Sequence, residues 1–373
     1  MLYLISLLGI VSISFDFSSV ALLISIIYVP VVVTQTKKIP LRAFFSIFLV
    51  IIFFIMLFYF GRERITLGSP FLNLAKIISV IIYIYTVNLL LKGKANQLYS
   101  IFSISICINQ LISIMYSQFY FSDGVYGRGY IFDVFYGQPV NSSLFGVLIS
   151  ASLAFWYLLC QHKAKAFERY LVYGITLIAF NAVLYIGSRT GIIILIMAIT
   201  ISFSRNISLL KLSILGGGGV ILANIFGLFD IAGAFISHNE TFNRGMESPR
   251  FEMWYQGFSN MWNYPYGGLT FTVSSYSGQW FHNIFLDTVR TSGYISALVL
   301  LLFFLYGLFI SLSEKCWNGF FCMMILIALM SVDVIVEGGG AIRVVYLFCM
   351  AIFVCLNSEE HRPLAAHREM PSA

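Results

Sequence analysis

The sequence is short of charge. Lys, Arg, Asp and Glu make up only 10% of its 373 residues, where a soluble globular domain carries about 25%. With 59% hydrophobic residues and a mean hydropathy of +0.89, that deficit excludes a water-soluble enzyme. The apolar residues lack the period-two alternation of outer-membrane strands, which excludes a β-barrel. A basic patch is missing too: the net charge of +6 is spread over loops, so nucleic acid is excluded as a partner. The N-terminus lacks a basic leader and a small-residue cleavage site, so no removable signal peptide is expected. The six cysteines, Cys107, Cys160, Cys316, Cys322, Cys349 and Cys355, lie inside apolar runs or at their ends and read as packing residues.

What the chain does have is long apolar runs, such as 47–60, 77–91 and 294–311. They approach the roughly 20 residues that a helix needs to cross a hydrocarbon core of about 30 Å. Reading them between charged or glycine-rich breaks predicts an all-α polytopic membrane protein with about twelve spans, near 1–15, 17–34, 41–60, 71–91, 97–118, 140–160, 169–187, 190–204, 209–229, 283–312, 317–335 and 341–356. Only Asp16 separates the first two, and a single bent span there would make eleven. The chain divides into N-terminal spans (1–229), a long outer loop with short helices (230–282), C-terminal spans (283–356) and a polar tail (357–373). The tetraglycine run 216–219 lacks the Lys-Ser/Thr of a phosphate loop and reads as a close helix approach or a bend.

Lysine sets the orientation. With the N-terminus in the cytoplasm, eight of nine lysines fall in inner loops, and the ninth, Lys76, lies within a span. The other face is basic through arginine alone: Arg62, Arg64, Arg128, Arg189, Arg244, Arg250, Arg343 and Arg290. Arginine presents a planar fork of donors suited to phosphate. Pairing with nearby carboxylates, such as Glu63 and Glu337, is the structural alternative for Arg62, Arg64, Arg128 and Arg343; Arg189 has no carboxylate close in sequence.

Three constellations on that face carry candidate chemistry. In Gly187-Ser188-Arg189-Thr190-Gly191, Arg189 opens a helix whose N–H groups and dipole already favour an anion; cation there is unfavourable for the helix itself. In Glu247-Ser248-Pro249-Arg250-Phe251-Glu252, Ser248 reads as an N-cap and Pro249 as the first helical residue. That helix runs to about Trp262, with Phe251, Trp254, Tyr255, Phe258, Met261 and Trp262 as an aromatic stripe for the membrane interface. In Phe281-His282-Asn283-Ile284-Phe285-Leu286-Asp287, His282 can serve as a proton acceptor near neutral pH. Asp287, five residues on, falls on another helix face and offers no obvious orienting partner. No cluster has the spacing of a metal site.

The order of a Ser-Arg-Thr-Gly turn, an Arg- and Trp-bearing helix ending in Asn-Tyr-Pro-Tyr-Gly-Gly, then His-Asn-Ile-Phe-Leu-Asp and a glycine-containing apolar span resembles the bacterial O-antigen polymerase and ligase superfamily. The resemblance is strongest over 180–312, about a third of the chain. It implies a GT-C type membrane glycosyltransferase at the periplasmic face of the inner membrane, with both termini cytoplasmic. It implies no metal, cofactor or nucleotide sugar, and a donor glycan on undecaprenyl pyrophosphate. By the same resemblance His282, Arg189 and Arg250 are the catalytic set, with Ser188, Arg244, Glu252, Arg290 and Arg343 lining the substrate site. Membrane lipids and a chain-length regulator are the other partners it suggests. The compact chain and its fifty-residue loop favour polymerase over ligase. A lipid-linked glycan transporter is the alternative of another class. Span interiors nearly free of charge, with Asp333 and Lys76 the chief exceptions, count against it.

Overall fold

The computed structural model describes residues 2–15, 20, 23–24, 26–27, 41–65, 70–91, 94–120, 130–135, 137–204, 249–273, 280–334 and 339–357. The apolar runs are helices: α1 (Leu2–Ser14), α2 (Leu41–Phe60), α3 (Pro70–Leu90), α4 (Ala95–Tyr120), α5 (Ser142–Phe155), α6 (Ala166–Tyr185) and α7 (Arg189–Ser204). Then come α8 (Pro249–Asn260), α9 (Ile284–Ser292), α10 (Tyr294–Ser313), α11 (Trp317–Asp333) and α12 (Gly339–Leu356). Helix α5 starts from an Asn141 cap whose side chain accepts from Ser143 N and continues through a π turn, Trp156–Cys160, and a 3-10 turn, Gln161–Lys163.

Among the described residues, five helices (α2, α4, α5, α6 and α10) are long and apolar enough to cross a membrane. Shorter apolar stretches lie in α1, α3, α7, α11 and α12. The expected span at 209–229 lies outside the described residues, as does most of that at 17–34. The expected single span 283–312 is two helices. Gly293 at φ 95°, ψ 167° separates them, a conformation essentially reserved for glycine. A second difference is a short antiparallel hairpin, β1 (Tyr130–Asp133) with β2 (Gln138–Asn141), between α4 and α5. Its strand β1 is held to α4, where Phe132 N donates to Ser117 Oγ at 2.8 Å and Val134 N to Ser113 Oγ at 3.2 Å.

In lipid there is little hydrophobic drive between helices, so close packing and interhelical hydrogen bonds carry the association. Both are evident. A Cβ at Gly146 of α5 would fall 2.4 Å from the Ser188 side chain, and Ser150 Oγ donates to Gly191 O at 2.8 Å, seating α7 on α5. Gly307 of α10 admits the Phe348 ring of α12. Asn109 Nδ2 donates to Ser14 O, joining α4 to α1.

Contacts at helix ends sort those ends onto two faces. Arg42 pairs with Glu314 at one end of α2 and α10, and Arg64 bonds Thr291 O at the other. Lys94 lies over the Tyr3 ring, Glu168 accepts from Ser100 and Trp156, and Asn357 Nδ2 bonds Asn88. One face thus gathers Lys94, Lys163, Lys165 and Lys315, and the other gathers Arg62, Arg64, Arg189, Arg250, Arg290 and Arg343. Helices α8 and α9 sit on the arginine face, around a small apolar core of Met253, Leu269, Val273, Phe281, Leu286, Val289 and Ala297.

Candidate functional site

Helix α8 begins at Pro249 as expected and passes into a 3-10 turn, Met261–Asn263. Its stripe divides. Phe251, Tyr255, Phe258 and Trp262, at spacings of four, three and four, are 47–76% exposed. Met253 and Gly257 turn inward, and the Trp254 indole donates to Phe281 O at 2.8 Å. Gly257 is where the Phe281 and Leu286 side chains come closest; a Cβ there would lie 2.7 Å from the Phe281 ring. So α8 lies across the residues that lead into α9, with its aromatic face outward.

Helix α9 is built by reciprocal capping. The Asn283 side-chain oxygen accepts from Phe285 N (3.0 Å) and Leu286 N (3.2 Å), two of the orphan donors at a helix start. Its amide nitrogen donates to Ser331 O at 2.7 Å, in the last turn of α11. Arg250 Nη1 donates to the next carbonyl, Val332 O, at 3.2 Å. The first turns of α8 and α9 therefore meet at the C-terminal end of α11, where carbonyls and dipole favour a cation. His282, immediately before Asn283, is buried and has φ 53°.

Asp287 corrects the sequence reading. Counting five residues as a helical offset assumes a helix from 282 onward, but α9 starts only at Ile284. The Asp287 carboxylate reaches back over the cap: Oδ1 accepts from Phe281 N at 3.0 Å and Oδ2 from Asn283 N at 3.3 Å. Arg290 Nε donates to Oδ1 at 3.3 Å. In this nine-residue helix ahead of the α10 span, burial pushes the Asp287 carboxyl up to about 7, against the Arg290 charge and the two amides. The missed signal was an Asn N-cap with an acid one turn on, which is the logic of a capping box.

The Asn-Tyr-Pro-Tyr-Gly-Gly segment packs on the helix break. Tyr294 N donates to Tyr264 O at 3.0 Å and Gly268 N to Arg290 O at 2.8 Å. Arg64 Nη1 donates to Tyr266 O at 3.0 Å and Thr291 O at 3.3 Å, so Arg64 holds this loop to α2 through backbone carbonyls. Arg62 lies 3.8 Å from Glu63, both exposed.

The other expected site residues are dispersed. Ser188 is a buried cap of α7: Gly191 N donates to its hydroxyl at 3.3 Å. Arg189 opens α7, on the same face as α8 and α9. Arg290 lies beside Asp287, Arg343 is buried in the first turns of α12, and Glu252 is exposed and accepts from Gln256 Nε2 at 3.3 Å. Arg244, Arg128 and Glu337 lie outside the described residues. Among the described residues no group of three or more His, Cys, Asp or Glu could hold a metal ion. The chain matches no model of a known protein family, and comparison with curated proteins finds no match.

Proposed function

We propose that the chain is an integral membrane glycosyltransferase of the bacterial inner membrane, resembling O-antigen polymerases. It transfers a glycan from undecaprenyl pyrophosphate to another lipid-linked repeat unit. On this reading the lysine face is cytoplasmic, both termini with it, and the arginine face is periplasmic. The observation that carries the reading is the convergence of Arg250 and the His282 turn on the last turn of α11, on the face where Arg189 also lies.

In the reaction, the acceptor hydroxyl attacks the anomeric carbon, and its proton passes to the neutral imidazole of His282. The bond from that carbon to the pyrophosphate oxygen breaks, and the electron pair leaves on the pyrophosphate. Arg189 and Arg250 neutralise the charge that develops there. Losing one such preorganised donor costs about 3 kcal/mol, or roughly 10²-fold in rate. Arg189→Lys keeps the charge but loses the fork, so it should lose most of that factor.

The test is electrophoresis of surface lipopolysaccharide from a strain lacking the protein, complemented with wild type, Arg189→Ala or Arg250→Ala. Core bearing one repeat unit and no ladder supports polymerase. Bare core with polymer retained on the lipid carrier makes the chain a ligase. A normal ladder in the deletion strain overturns both.

A further inference from the structure

Asp287 occupies a position that the proposed chemistry does not use. It is 0% exposed, and its two oxygens receive the amides on either side of His282, Phe281 N at 3.0 Å and Asn283 N at 3.3 Å. Between those amides His282 has φ 53°. Residues with a Cβ rarely adopt that conformation, and it persists where the surroundings over-determine it. The surroundings here are specific. One carboxylate brackets the residue, Arg290 Nε supplies counter-charge at 3.3 Å, and the Asn283 side chain locks the following helix start and ties it to α11. With both oxygens engaged and no exposure, the carboxylate is not placed to take a proton from a substrate.

We infer that Asp287 is a positioning residue for His282: its carboxylate, balanced by Arg290, clamps the left-handed turn and so fixes the direction in which the imidazole leaves the chain. The inference deepens the reading of His282 as the acceptor-side group and rests on it. It also gives Arg290 a role as counter-ion to Asp287 in place of the substrate contact expected from sequence.

The test uses the full-length protein purified in detergent. The donor is the lipid-linked glycan that accumulates in cells lacking the protein, extracted and added back. D287N should lower kcat at least tenfold with the donor KM within twofold, and D287E should recover part of the loss. In an H282A background D287N should lower the residual rate no further, because the clamp acts through the imidazole. A folded D287N with wild-type kcat overturns the inference, and so does a D287N loss as large in H282A as in wild type. Wild-type kcat in H282A itself overturns the role of His282, and that outcome is distinct from either.

A second measurement needs no turnover. Glycine adopts the left-handed turn freely, so the change in melting temperature caused by D287N should shrink by at least half in H282G. An equal change in both backgrounds makes Asp287 a general helix cap and overturns the clamp.

Discussion

Replacing Gly293 with alanine should unfasten the loop that packs on the break between α9 and α10. Gly293 has φ 95° and ψ 167°, and a Cβ built there lies 1.9 Å from Pro265 O and 2.5 Å from Tyr266 N. The obstacle is backbone, so no side chain can swing aside. Alanine in this conformation costs about 1–3 kcal/mol. Relieving the clash lifts 264–268 off the helix break and breaks the Tyr294 N to Tyr264 O and Gly268 N to Arg290 O bonds, each worth about 1 kcal/mol. The local loss is therefore about 3–5 kcal/mol. Hydrogen exchange in detergent reads it directly: amides of 268 and 294 should exchange about 10²–10⁴ times faster, while those in α4 and α5 keep their protection. Gly174→Ala is the control, since nothing lies within 4 Å of its Cβ position in α6; it should be neutral or slightly stabilising. Unchanged exchange at 268 and 294 in a folded Gly293→Ala protein would refute the packing of this loop on the break.

Arg64→Ala removes the Nη1 bonds to Tyr266 O and Thr291 O; in this partly exposed setting about 1–2 kcal/mol should be lost, seen as faster exchange of the 264–268 loop without loss of the bundle. Gly146→Ala drives a methyl into Ser188 and should cost about 1–3 kcal/mol, read as a lower melting temperature; adding Ser188→Gly should restore most of it. Burial pushes the Asp287 carboxyl from its ordinary 3.8 up to about 7, so the folded protein binds the extra proton and stability falls as pH rises through that window. The clamp needs the carboxylate, so the transfer rate should instead rise with pH and level off above about 7. In D287N the stability profile should flatten through that window; a rate that falls between pH 5 and 7 in wild type would contradict the clamp.

How much of this was legible in the sequence depends on which physical signal each element rests on. The long helices rest on apolar runs, and α2 matches its expected bounds because nothing in 41–60 interrupts the run. Helix α8 was legible as well, because Pro249 marks its first turn and the aromatic spacing marks its outer face. The break at Gly293 was not, because hydropathy averages over a single glycine; what ends α9 there is a dihedral, held by a loop some 25 residues earlier in the chain. The β1–β2 hairpin escaped for a related reason, since its strands are only four residues each and β1 leans on serine hydroxyls of α4.

The gathering of candidate residues follows the same division. That Arg189, Arg250 and His282 share a face could be read from span alternation and the lysine bias, and the contacts at the ends of the described helices agree with that grouping. The relation of Asp287 to His282 could not be read from spacing, because five residues have one geometry inside a helix and another across a cap. Asn283 changes one into the other: by accepting from 285 and 286 it starts α9 late, with 282 left-handed and 283 extended, and the amides of 281 and 283 turn toward the first acid of the helix. A carboxylate one turn into a helix that follows a His-Asn pair is therefore better sought as a backbone clamp than as a side-chain partner.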